Sequence, residues 1–327
     1  MSHLHTWLTF PALAAALAAV PVAAQTDAAA GYPRQPIRII CGFATGATPD
    51  LVARLVAAKL GERLGQPAIV ETKAGAGGMI AAESVARATP DGYTILLSPG
   101  STLSINPAVY SKLPYDADKS FDLIGNIAIY PFVLSVRAEH PAKTVAELVA
   151  WSRANPASAN YGSSSAIFQL TTELFKSKTG ATLEHIPFKG GAEIVTAILS
   201  GQITASFADI GPLLPQIKAG KLRALATSGA SRMAELPDVP TLAEAGVPDV
   251  VVEGYTALIA PRGTPPAIVR KLEAEVLAIA QLQDVRDRLA QLGMIPSGEG
   301  STAFAARVTR EVAMWTTVAK AANIKLD

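Results

Sequence analysis

Three consecutive serines offer the most direct candidate for chemistry in this sequence. Gly162-Ser-Ser-Ser-Ala166 follows the strand-like run ANYGS and resembles an imperfect nucleophile elbow, in which Ser164 would attack an acyl group. The hydrolase order of serine, acid and histidine needs a histidine after the acid, and none follows Asp209. His185 could act as the catalytic base only if the triad residues followed another order along the chain. A secreted serine hydrolase using Ser164 therefore stays an alternative, beside a purely structural role for His185.

Metal and nucleotide chemistry lack their residue patterns. His140 and His185 are the only histidines after residue 24, and no H-x-x-x-H or H-E-x-x-H spacing occurs. No G-x-x-x-x-G-K-[ST] occurs, and the cluster Gly75-Ala-Gly-Gly-Met-Ile80 has isoleucine where a dinucleotide fingerprint needs its third Gly or Ala. The sequence therefore predicts no metal site and no cofactor.

Small polar loops remain at the ends of predicted strands, and they offer hydrogen-bond donors without a nucleophile or base. They are FATGAT, AGAGG, SPGST, GSSSA, KGGA and FAD. In the first, we expect Thr48 to be an N-cap, Pro49 to hold the first helical position and Asp50 to follow in the first turn. This leaves free N–H groups from Ala44 to Ala47, which suit an anion at the end of a strand. A bare structural turn is the alternative.

The overall composition excludes partners that need a charged surface. Lys+Arg at 28 against Asp+Glu at 27 gives a net charge of +1, so no global field recruits nucleic acid or an anionic membrane. Half of the residues are hydrophobic, which suits one large or two modest α/β domains. The single cysteine, Cys41, allows no internal disulfide and is interpreted as a small buried residue. An anion site in this chain must be local.

The first 24 residues are interpreted as a secretory signal peptide cleaved before Gln25. They contain no Lys, Arg, Asp or Glu, and their Leu/Ala run ends in small residues. His3 and His5 stand where a basic residue is usual, which leaves the start codon open. A membrane anchor is the alternative, although Pro11 and Pro21 interrupt a run that barely reaches the ~20 residues of a span.

The remaining elements must position these loops. Strand-like runs alternate with helical patterns from IRIICGF to YTILLS, a βαβαβ rhythm that predicts a parallel sheet with helices on its faces, and the middle of the chain repeats it. FDLIGNIAIYPFVLSVRA and VVEGYTALIAPRG are interpreted as two crossovers between two lobes. The two C-terminal segments with helical spacing are expected to pack back on the first lobe.

Many stretches together resemble one known family over essentially the whole chain after the signal. They include YPRQPIRII, AGAGGMIAAESVARATPDGYTILL, INPAVYSKLPYD, HIPFKGGAEIVTAILSGQI, IKAGKLRALATS, LPDVPTLAEAG and APRGTPPAIVRKL. The chain is similar to the periplasmic solute-binding receptors of tripartite tricarboxylate transporters, also called the Bug or TctC family. Each stretch is weak by itself, whereas the set in this order is highly specific.

The resemblance implies a fold, a location and a function. The expected fold is a two-lobed α/β periplasmic binding protein, a type II-like Venus flytrap with two crossover strands. Residues 1–24 would be the signal peptide, residues 25–125 plus 250–327 lobe I and residues 126–249 lobe II. The expected protein is a periplasmic monomer and not an enzyme. It would capture a di- or tricarboxylate, an acidic amino acid or an aromatic acid and deliver it to a two-subunit membrane permease.

The family pattern also implies site residues. In lobe I the ligand carboxylate would meet the backbone of the loop that includes Phe43, with the N–H groups of Ala44, Thr45 and Gly46, together with Ser101 and Thr102. In lobe II the implied contacts are the loop Ser163–Ser165, with Gln169, Lys189, Gly190 and Asp209. Asp50 completes the candidate set, although we favour its turning aside to its own helix.

Departures from the family pattern limit this transfer. The family reads V-P-F-x-P-G-G-x-x-D where this chain reads CGFATGATPD, and its lobe II loop is two residues longer, with a histidine in place of Gln169. Lys189 is interpreted either as a counter-charge for a second carboxylate or as a solvated lysine. Asp50 or Asp209 would partner a ligand ammonium group. Signalling to a membrane histidine kinase is an alternative to transport.

Overall fold

The computed structural model describes residues 29–326, so the interpreted signal peptide lies outside the described residues. In chain order the helices and strands are β1 (Ile37–Cys41), α1 (Thr48–Leu64), β2 (Ala68–Thr72), α2 (Met79–Ala86), β3 (Thr94–Pro99), α3 (Asn106–Val109), β4 (Phe121–Pro131), β5 (Val133–Arg137), α4 (Val145–Ala154), β6 (Asn160–Ser163), α5 (Ala166–Thr179), β7 (Glu184–Pro187), α6 (Gly191–Ser200), β8 (Ala205–Ala208), α7 (Ile210–Lys218), β9 (Leu222–Thr227), β10 (Glu253–Pro261), α8 (Pro266–Ala280), α9 (Gln283–Gln291), β11 (Ile295–Pro296) and α10 (Ser301–Ala321). A π-helical turn, Ser101–Ile105, connects β3 to α3.

The first helix shows how the sequence produces these elements. Val52, Val56 and Leu60 recur every four residues, and all three are fully buried against the first sheet. Burial of each such side chain stabilises the fold by about 1.5–3 kcal/mol. The helix ends at Gly65, whose φ of 69° is left-handed and whose N–H donates to the Gly61 carbonyl.

Two separate sheets form the two lobes. The first has the strand order β11-β4-β10-β3-β1-β2, and the second has the order β7-β6-β8-β5-β9. The two-lobed α/β fold class is thereby confirmed. The predicted parallel pairing holds for β1 with β2 and β3, and for β6 with β7 and β8.

Both sheets also contain antiparallel strands, which the βαβαβ rhythm did not predict. Strand β10 runs antiparallel to β3 and β4, and β5 runs antiparallel to β8 and β9. These strands follow a passage from the other lobe and enter their sheet from the opposite direction. Local periodicity carries no information about that direction.

Both predicted crossovers connect the two sheets. Strand β4 ends at Pro131 and β5 begins at Val133, so the chain changes sheets at Phe132. It returns through residues 228–252 into β10. The numbered lobe boundaries stay a prediction, and the first sheet itself continues to Pro131.

The last helix does more than pack on the first lobe. Trp315, Val318 and Ala319 on α10 belong to the same buried cluster as Phe132 and Phe168 of the second lobe. The prediction that the C-terminal segments pack back on the first lobe holds for α10, since Phe304 is buried against Tyr255, but the contact of α10 with the second lobe was not predicted. Its apolar face continues past the first sheet, and burial against the second lobe removes that face from water.

Within residues 29–326, no helix combines the length and the apolar character that a membrane crossing requires.

Candidate functional site

A cavity of about 610 Å³ lies between the two sheets. Phe43 after β1, Pro99–Ser101 at the end of β3, and Thr256 in β10 line the wall that belongs to the first sheet. Residues 164–168 after β6 and residues 209–212 after β8 line the opposite wall. Open α/β sheets place ligands at the carboxyl ends of their strands, and this cavity has that position in both lobes.

Two backbone N–H groups of the loop after β1 are already hydrogen-bonded within the first lobe. The Gly46 N–H donates to Asp50 Oδ2 at 2.9 Å, and the Ala47 N–H donates to the Ala44 carbonyl at 3.0 Å. The expectation of four free N–H groups was therefore wrong for Gly46 and Ala47. Phe43 lines the cavity, whereas Ala44, Thr45 and Gly46 are exposed and lie outside its lining.

The start of α1 also differs from the prediction. The N-cap is Ala47 in extended conformation, no side chain caps the helix, and Thr48 is already its first residue. The interpretation of Thr48 as N-cap was wrong, because Asp50 instead reaches back to the loop through the Gly46 N–H. Thr48 and Pro49 line the cavity.

Asp50 is held by its own helix and loop. Its side chain is only 1% exposed, and Oδ2 accepts the Arg54 Nε–H at 2.9 Å in addition to the Gly46 N–H. The hydrogen bond from Arg54 holds the pKa of Asp50 below its ordinary value, so the carboxylate is charged at neutral pH. Asp50 is not part of the cavity lining.

Two hydroxyls on the first wall are buried without a partner. Ser101 Oγ and Thr256 Oγ1 both belong to residues that line the cavity, and neither has a hydrogen-bond partner among the described residues. The neighbouring Thr102 is 1% exposed, lies outside the lining, and accepts the Tyr115 hydroxyl at its carbonyl. Thr256 is a site residue that sequence reasoning missed, because alternation along β10 does not say which face meets the cavity.

The second wall presents the uncapped start of α5. Ser164 and Ser165 line the cavity, and Ser165 is the N-cap of α5 without a side-chain cap bond. The helix therefore presents first-turn N–H groups and the positive end of its dipole to the cavity.

Ser163 and Gln169 lie behind this surface. Ser163 is buried, and its Oγ lies 2.7 Å from His185 Nε2, while Gln169 Nε2 lies 3.3 Å from His185 Nδ1. The Ser163 hydroxyl and the Gln169 amide each engage one ring nitrogen of His185. Burial lowers the pKa of His185, which keeps the ring neutral. His185 thus contacts Ser163 and Gln169, whereas Ser164, the candidate nucleophile, is not among its hydrogen-bond partners.

Asp209 is the charged group of the cavity. It is the N-cap residue of α7 but makes no side-chain cap bond, and its carboxyl group opens to the cavity. The Asp209 side chain is exposed at the cavity, and the protein that surrounds it partly screens its carboxyl group from water and raises its pKa to about 6. The other lobe II candidates lie elsewhere: Lys189 is exposed, Gly190 precedes α6, and neither lines the cavity.

Among residues 29–326, the cavity lining contains no lysine, arginine or histidine. The described part of the chain also holds no cluster of three His, Cys, Asp or Glu residues suited to a metal ion. The lining is largely apolar and aromatic, and includes Phe43, Tyr110, Tyr130, Phe132 and Phe168. Tyr130 was missed by sequence reasoning, although it lies in the predicted first crossover.

A contact between the lobes closes one side of the cavity. Gly293, which follows α9 in the first lobe, lies so close to Ile210 on α7 that a Cβ at this position would overlap the Ile210 side chain. The backbone of Gly293 has a φ of 71°, which is left-handed.

Comparison with known proteins adds family and structural context. A family described as "Tripartite tricarboxylate transporter family receptor" matches residues 52–324. Protein BugT of Bordetella pertussis is 32% identical, with 96% of each chain covered.

Two solved structures are similar across nearly the whole chain. Rpa4515 of R. palustris with adipate is 34% identical with a TM-score of 0.78, covering 90% of this chain and 99% of that chain. MatC of Rhodopseudomonas palustris with bound malate is 32% identical with a TM-score of 0.73, covering 88% and 99%.

Proposed function

Because the chain belongs to the family of tripartite tricarboxylate transporter receptors, we propose that it captures a small organic carboxylate in the cavity between its lobes. The family consists of periplasmic solute-binding receptors, and bound carboxylates are named for two of the similar structures. In this proposal the loaded receptor delivers its ligand to the permease subunits of a tripartite tricarboxylate transporter and performs no catalysis.

The observation that carries the proposal is the pair of unpartnered hydroxyls on the first wall. Burying a polar group without a hydrogen bond costs about 1–3 kcal/mol, so buried hydroxyls normally have partners. Ser101 and Thr256 line a cavity instead of a closed core, so a change of side-chain rotamer would turn each buried hydroxyl toward a ligand. A ligand carboxylate has the acceptor oxygens that would satisfy both hydroxyls.

The second wall contributes binding free energy beyond what the two hydroxyls provide. A micromolar dissociation constant needs about 8 kcal/mol, and a hydrogen bond to a charged group contributes about 1.5–3 kcal/mol. The N-terminus of α5 at Ser164 and Ser165 adds N–H donors and a favourable dipole. Affinity in this proposal therefore requires both walls and the closing of the lobes over the ligand.

The geometry also favours binding over hydrolysis. Ser164, the candidate nucleophile, has no hydrogen bond to a histidine within residues 29–326, and His185 contacts Ser163 and Gln169 instead. A general base must be able to accept the proton of the nucleophile. The proposed receptor consequently has a binding surface without an activated serine.

The test is calorimetric titration of the receptor after unfolding and refolding to release any carried ligand. We expect at least one mono-, di- or tricarboxylate to bind with a micromolar or lower Kd. Replacing both hydroxyls, Ser101→Ala with Thr256→Val, should weaken that binding about 10- to 100-fold, since each removes a hydrogen bond to a charged ligand.

Ser135 and Thr227 provide the matched control. Their hydroxyls are also buried without a partner, but they lie on β5 and β9 of the second sheet and outside the cavity lining. The double change Ser135→Ala with Thr227→Val should leave binding unchanged. Failure of every carboxylate to bind, or equal losses in the two double variants, would contradict the proposed site.

A further inference from the structure

The charge pattern of the cavity narrows the ligand class, and this step rests on the proposed function. Among the described lining residues Asp209 is the sole charged side chain, and no cation accompanies it. We propose that the receptor selects a monocarboxylate whose apolar body carries a cationic group, such as a primary amine, that pairs with Asp209.

Asp209 is available to a ligand because the protein gives its carboxyl group no partner. It precedes α7 without capping it, and no hydrogen bond or ion pair connects its side chain to another described residue. A carboxylate that faces a cleft without a counter-charge is favourable for a cation and unfavourable for a second anion. Asp209 therefore acts as a specificity-determining group.

The surroundings of Asp209 strengthen this preference. Burial raises the pKa of the Tyr130 hydroxyl on β4, and the nearby charges of Asp209 and of Glu311 on α10 act in the same direction. Glu311 pairs with Arg307 and burial raises its pKa to about 7, so Asp209 is the group that opposes a carboxylate at this end of the cavity. The Tyr130 ring also lines the cavity, and aromatic faces attract cations.

The remaining lining determines the body of the ligand. Phe43, Tyr110, Phe132, Ile167 and Met294 present apolar and aromatic surface between the walls. A body of methylene groups or a benzene ring buries well against such surface, at about 0.8 kcal/mol per CH₂ group. A compact tricarboxylate would leave its additional charges against apolar side chains without a partner.

The basic residues closest in the sequence to the predicted site do not neutralise a second carboxylate. Lys189 is exposed and lies outside the lining, and Arg54 is paired with Asp50 at 2.9 Å. The inferred ligand therefore differs from the dicarboxylates named for the two similar structures, adipate and malate.

The experiment uses two sets of three acids with matched bodies. The first set is 6-aminohexanoate, hexanoate and adipate, and the second is 4-(aminomethyl)benzoate, 4-methylbenzoate and terephthalate. Each set changes only the group opposite the carboxylate from cationic to neutral to anionic. Calorimetric titration of the refolded receptor at pH 7.5 should show that an amine-bearing acid binds at least tenfold tighter than its dianionic counterpart.

Asp209→Asn is the decisive variant, because asparagine keeps the size and the N-cap preference of aspartate. This substitution should weaken binding of the amine-bearing acid at least tenfold and leave binding of the neutral acid unchanged. Asp249→Asn is the matched control, since Asp249 is exposed and pairs with Lys178 outside the cavity. It should change none of the affinities.

The outcomes separate this inference from the proposed function. Tighter binding of the dianion in the wild-type receptor, or a cation preference that survives Asp209→Asn, overturns the inference while carboxylate binding stands. Binding of other carboxylates without either amine-bearing acid has the same effect. Absence of binding by any carboxylate overturns the proposed function and the inference together.

Discussion

Two aspartates lie at the start of helices on opposite sides of the cavity, and their environments are opposite. Asp50 in α1 is 1% exposed and accepts hydrogen bonds from Gly46 and Arg54, which hold its pKa below the ordinary value. Asp209 before α7 makes no cap bond and opens to the cavity, and the surrounding protein raises its pKa to about 6.

The difference shows that a carboxylate at a helix start has no single role. A helix N-terminus favours negative charge in both places. At Asp50 the Gly46 N–H and Arg54 both donate to Oδ2 within the first lobe and stabilise the fold, while Oδ1 is buried without a hydrogen-bond partner. At Asp209 no side chain donates a hydrogen bond to the carboxylate, so its charge is available to a ligand. The predictions that follow test this division between a structural and a binding carboxylate.

The largest effect is expected from removing the structural carboxylate. Asp50→Ala leaves the Gly46 N–H and Arg54 without their acceptor and should lower the free energy of unfolding by about 1–3 kcal/mol. Urea denaturation measures the loss. Asp284→Ala is the control, since this aspartate also lies in a first helical turn but forms an exposed pair with Lys59, worth about 0–1 kcal/mol. Equal losses in the two variants would contradict a structural role for Asp50.

A second prediction concerns the interlobe contact next to the binding carboxylate. Gly293→Ala introduces a Cβ that overlaps Ile210, the residue after Asp209, and should weaken binding of a carboxylate ligand about tenfold, or about 1.4 kcal/mol, by hindering closure. Titration calorimetry measures the change. Gly246→Ala is the control, because its φ of 90° brings the same kind of backbone strain in open space. Comparable affinity loss in the control would show that strain alone is responsible.

The two carboxylates should also differ in how pH changes their contribution to stability. The pKa of Asp209 is about 6 in the folded protein and about 3.9, the ordinary value, in the unfolded chain. Its contribution to the free energy of unfolding therefore falls as pH rises from about 3.9 through about 6. Asp209→Asn should consequently raise the Tm at pH 7.5 and lose most of that gain at pH 4. For Asp50, whose pKa is lowered, the contribution is present above the unfolded value and is lost as pH falls through the folded value.

Thermal melts of the wild type, Asp209→Asn and Asp50→Ala across this range test the two signs. The Asp50→Ala loss should be complete at neutral pH and shrink only under acidic conditions. A Tm for Asp209→Asn below that of the wild type at pH 7.5 would contradict the absence of a stabilising partner for Asp209.

The smallest effect is expected at the start of α1. Thr48 makes no cap bond there, so Thr48→Ala should change the free energy of unfolding by less than about 0.5 kcal/mol. Thr144→Ala provides the contrast, because Thr144 Oγ1 accepts the Glu147 N–H and caps α4, an interaction worth about 1 kcal/mol. A loss at Thr48 as large as at Thr144 would contradict the absence of a side-chain cap at the start of α1.

Much of the fold was predictable because its signals are local. The spacing of Val52, Val56 and Leu60 predicts a helix without knowledge of the rest of the chain. The long apolar run through Phe132 likewise predicted a passage between two lobes. The antiparallel entry of β5 and β10 was not predictable from these patterns, because strand direction depends on where the chain returns from.

The site was predictable only in part. Phe43, Ser101, Ser164, Ser165 and Asp209 were candidates, and the structure brings them together at one cavity. Of the other candidates, Thr102 and Ser163 are buried, Gln169 contacts His185, and Lys189 is exposed away from the cavity. Whether these contact a ligand stays a prediction.

The sequence by itself determined the α/β alternation, the two lobes and the loops that carry small polar residues. It also established that no nucleotide fingerprint and no closely spaced histidines are present. The tertiary structure alone decided which carboxylates have hydrogen-bond partners within the protein and which are available to a ligand. Asp50 and Asp209 are the same residue type in the same kind of position, yet only folding brings Gly46 and Arg54 to one of them. Charge state and availability depend on neighbours in space, whereas sequence spacing specifies neighbours only within a turn or a helix.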